Sequence, residues 1–149
     1  MASGADAAPR LVLDTSAYSH LRAGDTRVID LVAAAEMIFV PVTVLGELHG
    51  GFEFGSRVRE NRGALTEFLA EPFVTVIPTS PSVARHYGRI YAALRRAGTP
   101  IPANDMWIAA ATVDAGASLL TFDGDFTRVQ GLDCTVLEKA ASGSADALD

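Results

Sequence analysis

The sequence predicts a three-layer α/β/α sandwich built on a mostly parallel central sheet. Two observations point there: short apolar runs recur along the chain, and stretches with helical periodicity separate them. A third is length, since 149 residues suffice for one domain with a sizeable core and are short for two.

In chain order, the first strand is Leu11 to Leu13. A helix over Thr26 to Glu36 leads into a second strand, Met37 to Val40. Helices over Thr43 to Phe54 and Val58 to Leu69 then precede a third strand, Phe73 to Ile77. The clearest helix is Ser82 to Arg96, where Val83, Tyr87, Ile90 and Leu94 share one face and Arg85, Arg89 and Arg96 another. Pro100 and Pro102 announce the next, Asn104 to Gly116, with Asn104 or Asp105 as its cap. Strands at Ser118 to Thr121 and Thr135 to Leu137 complete the set. Such alternation needs crossovers that put helices on both faces of the sheet. The ends, 1–9 and 140–149, are rich in Ala, Gly, Ser and Asp and read as a flexible leader and tail around a domain at 10–139.

Composition removes several function classes. No apolar stretch approaches the ~18 residues of a membrane span, and the leader has neither a basic cluster nor a signal-type apolar core, so a cytoplasmic, membrane-free protein is expected. The lone Cys134 allows no disulfide within the chain and no thiol-rich metal site; its apolar surroundings make it a buried strand residue. A net charge of -6 argues against holding nucleic acid by bulk electrostatics, so any such contact must be local.

Four acids interrupt stretches that otherwise look buried. Asp14 ends the first strand, and Glu47 is the only acid between Pro41 and Phe52. Asp105 has no charged neighbour from Gly98 to Val113, and Asp123 follows the Ser118 to Thr121 strand. Desolvating a lone carboxylate is costly, so acids in such company face a cleft, meet a cation, cap a helix or bind a metal. Taken singly, Asp14 and Asp105 are equally well read as N-caps and Glu47 as the exposed turn of an amphipathic helix. Taken together, all four fall on the rim of a parallel sheet where strands end and the next helices begin, the usual place for ligands. Crowded carboxylates repel unless a cation offsets them. All-oxygen ligation suits Mg²⁺ or Mn²⁺. Zinc is disfavoured because the three histidines are scattered: His20 and His86 read as helix-surface residues, and His49 as a packing or substrate-contact residue. Such a cradle suits phosphodiester hydrolysis by a metal-activated water, and the chain has neither a nucleophile elbow nor a Gly-rich phosphate loop.

Leu13-Asp14-Thr15-Ser16, the helical Glu47, Ala103-Asn104-Asp105-Met106-Trp107-Ile108-Ala109-Ala110 and Leu120-Thr121-Phe122-Asp123 resemble, in this order, the motifs of PIN-domain ribonucleases, and among them the VapC-type toxins of type II toxin–antitoxin systems. The resemblance runs from Arg10 to about Glu138. It implies a PIN-like fold and an endoribonuclease acting on tRNA, rRNA or mRNA. It further implies a VapB-like antitoxin as partner and a homodimer or toxin–antitoxin hetero-oligomer. Asp14, Glu47 and Asp105 match the core acids that hold Mg²⁺ or Mn²⁺, and Asp123 the fourth, with Asp125 as a competitor for that place. Ser16 and Thr121 match hydroxyl positions near the metal, with Asn104 in support, while Met106 and Trp107 read as core or groove packing. Antitoxins of this kind thread a groove and set a basic side chain near the acids; the apolar helix Val44 to Phe54, with Gly50 and Gly51, suits such a groove. For RNA, Arg85, Arg89 and Arg96, joined by Arg57, Arg59 and Arg62, are either phosphate contacts or the solvated face of amphipathic helices.

Three rivals remain in view. A receiver-like signalling domain needs an acidic pair near the first strand and a late sheet Lys, but here Asp6 lies in the leader and the sole Lys139 beside the tail. A haloacid-dehalogenase-like phosphatase needs Asp-x-Asp, and Ser16 occupies the second position. A PIN fold that binds RNA or a partner without cutting is the third.

Overall fold

Residues 8–139 are described by a computed structural model. The expected tail, and all of the expected leader except Ala8 and Pro9, lie outside the described residues.

Among the described residues five strands form one sheet: β1 (Arg10–Leu13), β2 (Met37–Pro41), β3 (Val74–Ile77), β4 (Ser118–Thr121) and β5 (Cys134–Val136), in the order β3-β2-β1-β4-β5. All four pairings are parallel. The inner strands are buried along successive residues, Leu11 to Leu13, Ile38 to Pro41 and Leu119 to Thr121, which requires cover on both faces. At the edge, Thr75 and Val76 of β3 and Thr135 of β5 are exposed. Cys134, expected as a buried strand residue, is half-buried because β5 has a neighbour on one side alone.

Among the described residues six α-helices accompany the sheet: α1 (Thr15–Arg22), α2 (Thr26–Ala34), α3 (Val42–Phe54), α4 (Val58–Leu69), α5 (Pro81–Ala97) and α6 (Ala103–Ala115). On α5, Ser80 accepts from the Val83 N–H at 3.3 Å, Pro81 sits in the first turn, and Gly98 ends the helix at φ 71°, a left-handed conformation that glycine adopts without strain. Its apolar face buries Val83, Ile90 and Leu94 as the periodicity predicts. By contrast, α6 is apolar nearly all round, with Met106, Ile108 to Ala111 and Thr112 buried, and small alanines let it lie close to its neighbours.

Two expectations about helices change. Eight residues with mixed polarity carry too little periodicity to announce α1, which goes unpredicted except through its cap, Asp14. Neither Asn104 nor Asp105 caps α6: Pro102 occupies that position with no side-chain hydrogen bond, and both polar residues fall in the first turn. That placement removes the capping explanation for Asp105. Among the described residues no helix is long and apolar enough to cross a membrane.

Candidate active site

The strand order reverses at β1, which pairs with β2 on one side and β4 on the other. Chains leaving β1 and β4 therefore diverge at the carboxyl rim, β1 toward β2 and β4 toward β5, and open a crevice there. Asp14 leaves β1 directly into α1, and Asp123 lies two residues beyond β4, capping a 3₁₀ turn at Gly124–Arg128. Glu47 is in the second turn of α3, and Asp105 in the first turn of α6, whose amino end meets the rim.

Hydrogen bonds join these elements into one network. Asp14 is buried, 5% exposed, and both its oxygens are used. Oδ1 accepts from the Ala17 N–H at 2.8 Å and the Ser16 hydroxyl at 2.7 Å, while Oδ2 accepts from the Thr121 hydroxyl at 2.5 Å. Ser16 Oγ in turn accepts from the Phe122 N–H at 3.0 Å, and Thr121 Oγ1 from the Asp123 N–H at 3.0 Å. Thus β1, α1 and the β4 exit are locked together. On the other side, Glu47 accepts from the Thr15 hydroxyl at 2.5 Å and from the Asn104 amide at 3.3 Å, which ties α3 to α1 and α6. Thr15 is a residue the sequence reading passed over. It sits inside the Asp14-Thr15-Ser16 motif, but its partner lies 32 residues away and only the fold reveals it.

The electrostatics differ across the site. Burial pushes the Asp14 carboxyl up, and the hydrogen bonds from Thr121, Ala17 and Ser16 pull against that rise. Asp105 is pushed up to about 6, first by burial and then by the charges of Asp123, Glu47, Asp14 and Asp125. Those four influences place all the proposed acids within electrostatic reach of one carboxylate, with Asp123 ahead of Asp125. The ion pairs among the described residues include none to Asp14, Glu47, Asp105 or Asp123, whereas Asp125 is 3.5 Å from Arg128. No three His, Cys, Asp or Glu side chains among the described residues are already gathered as a metal cage. Protein donors occupy the oxygens of Asp14 and Glu47 instead. The fit to a hard divalent cation rests on the all-oxygen donor set and the uncompensated charge that lifts Asp105.

His20 is not the surface residue expected: it is 7% exposed, its ring stacks on Phe122 at 3.5 Å, and Nδ1 meets the Ser16 carbonyl at 2.9 Å. It braces the β4 exit from beneath. His86 faces Asp114 at 3.5 Å, and His49 is exposed, edge-on to Phe52 at 5.7 Å. Met106 is buried, and the half-buried Trp107 stacks on Tyr87 at 4.0 Å, so both pack as expected.

Among the described residues none of the basic candidates ion-pairs with the four acids. Arg85, Arg89 and Arg96 form an exposed stripe on α5, opposite its buried face. Arg57 pairs with Glu60 at 2.6 Å and Arg62 with Glu53, as solvated helix surfaces do; Arg59 is exposed.

A model of the PIN domain matches residues 11–132, most of the chain. The chain belongs to the PIN domain family. Ribonuclease VapC5 of Mycobacterium tuberculosis is 29% identical over 122 residues, covering 80% of this chain and 87% of that protein. VapBC-5 from the same organism, a member of the VapBC family of toxin–antitoxin systems, superposes with a TM-score of 0.65 at 25% identity, over 87% of this chain and 98% of that one. VapBC2 from Rickettsia felis, solved bound to a promoter DNA fragment, shares the fold with a TM-score of 0.76 at 24% identity, covering 87% and 99%. PIN membership displaces the receiver-like and phosphatase readings.

Proposed function

We propose that this chain is a divalent-cation-dependent endoribonuclease, the toxin of a toxin–antitoxin pair, with Asp14, Glu47, Asp105 and Asp123 as its site. The observation that carries the reading is the hydrogen-bond network at one sheet reversal that orients Asp14 and Glu47, with Asp105 and Asp123 on the adjoining elements and no ion pair to any of the four among the described residues. Kinship with a ribonuclease of the VapC type supplies the reaction class. These four side chains would hold Mg²⁺ or Mn²⁺, which when bound lowers the pKa of a water and stabilises charge on phosphate. The chain's own contribution is orientation. Ser16, Thr121 and the Ala17 N–H fix Asp14, while Thr15 and Asn104 fix Glu47, so the donors are aimed before a cation or RNA arrives. At neutral pH a carboxyl with a pKa near 6 is mostly ionised, so Asp105 adds its charge to the set.

An antitoxin has a surface suited to it beside Glu47. On α3, Val42 is 44% and Phe54 98% exposed, and a Cβ at Gly46, Gly50 or Gly51 would meet nothing within 4 Å. An amphipathic partner segment laid there would cover apolar surface and bring a basic side chain to the acids.

The test is incubation of partner-free protein with total RNA in Mg²⁺, Mn²⁺ or chelator, beside Asp105→Asn. Discrete cleavage that requires the cation and falls at least about a thousandfold in the variant is expected, the loss of several kcal/mol of transition-state stabilisation. Cleavage indifferent to chelator and to the substitution would overturn the mechanism.

A further inference from the structure

Beyond the acids, the 3₁₀ turn carries the chain to a second feature. A cavity of about 330 Å³ lies between α5 and the segment after that turn. Ile90, Leu94 and Val129 are almost wholly buried and form its floor, while Arg89, Arg128 and Gln130 supply polar lining. Arg128 is held on two sides, its Nη2 3.5 Å from Asp125 and its Nη1 3.5 Å from the Pro100 carbonyl, and so bridges the turn to the loop before α6. No acid among the described residues ion-pairs with Arg89. Arg85 and Arg96 of the same stripe do not line the cavity.

We infer that Arg89 and Arg128 bind the phosphate backbone of the substrate RNA beside the cut, resting on the ribonuclease reading above. On a chain of net charge -6, two arginines line one cavity. Guanidinium groups present forked donors that match phosphate. Gly124–Arg128 is five residues long, so at ~2.0 Å rise per residue Arg128 stands roughly 10 Å from Asp123. That is about three nucleotide steps at ~3.4 Å each along a stacked strand. Asp125 is the partner of Arg128, and its N–H donates to Asp123 Oδ1 at 2.9 Å, so the cavity adjoins the acidic rim. The apolar floor beneath the two cations gives a ribose or base edge a dry surface to lie on.

The test separates the cavity from the reaction. In metal-free Asp105→Asn protein, which is not expected to cut, binding of a fluorescein-labelled single-stranded RNA of mixed sequence is followed against salt. Adding Arg89→Ala or Arg128→Ala should each weaken binding about tenfold, as loss of a charge-assisted hydrogen bond does. Each should also lower the slope of log affinity against log salt by about 0.7. Arg89→Lys should keep the slope, and so should Arg95→Ala, which removes a cation of α5 outside the cavity. In the cutting protein, both alanine variants should raise KM with little change in kcat. RNA bound equally well by Arg89→Ala and Arg128→Ala would overturn the cavity assignment and leave the ribonuclease reading intact. RNA not bound at all by Asp105→Asn protein would overturn the assignment, and cleavage by the parent decides the reaction separately.

Discussion

Asp14 and Asp105 stand on the same rim, one among donors and the other among acids. Around Asp14 three groups donate, and the hydroxyls of Ser16 and Thr121 also accept from the backbone beyond β4. Around Asp105 the influences are burial and like charge, with no hydrogen bond among them. The strand-end half of the site is therefore preorganised by the protein alone, at the cost of burying a carboxylate. Asp105 carries like-charge repulsion that a cation would relieve. Two similar carboxylates on one rim thus differ in kind: donors satisfy Asp14, while the charge of Asp105 is left uncompensated.

The contrast breaks most cleanly by removing each acid in turn and melting the metal-free protein. Asp14→Ala takes away the cap of α1 and the acceptor of two hydroxyls, and a loss of about 1 to 3 kcal/mol is expected. Asp105→Asn removes repulsion without removing a hydrogen bond, and at pH 7.5 it should raise Tm by a few degrees, the effect of ~1 kcal/mol in a domain of this size. Equal destabilisation by both would erase the distinction.

Thr121→Val comes next in size. It deletes the donor to Asp14 Oδ2 and the acceptor of the Asp123 N–H while keeping the shape of the side chain. A loss of about 1 to 2 kcal/mol in denaturant titration is expected.

The smallest effect is in the pH profile. Asp105 holds its proton more tightly folded, near 6, than at its ordinary 3.8, so between these values the native state binds more protons than the unfolded chain. Stability from this group is therefore greatest below pH 4 and falls as pH rises through about 6. The Tm gap between Asp105→Asn and the parent should be near zero at pH 4 and widen to its full size by pH 7. A gap independent of pH would contradict the assigned cause.

How much of this could be read from the residues alone varied with the range of the interaction. Asp14 and Asp123 were visible because each follows an apolar strand, and Glu47 and Asp105 because each stands alone in an apolar stretch. Those are local signals. His20 was misplaced on a helix surface since its burial depends on Phe122, more than a hundred residues on. Thr15 stands in the Asp14-Thr15-Ser16 motif and Arg128 in none, and neither position announces its partner, since Glu47 and the Pro100 carbonyl come from other elements. Helix α6 is legible as a helix, yet its cap is not, because Pro102 has no side-chain acceptor and the residues that offer one, Asn104 and Asp105, fall inside the first turn.

The central claim is that Asp105 and Asp123, with Asp14 and Glu47, hold a divalent cation. Calorimetric titration of Mn²⁺ into metal-free protein at pH 7.5 tests it most directly, with Asp105→Asn, Asp123→Asn and Asp125→Asn alongside. The account predicts saturable binding by the parent, weakened more than about tenfold by the first two substitutions and little by the third. Absence of binding by the folded parent, or binding lost in Asp125→Asn and retained in Asp123→Asn, would contradict it.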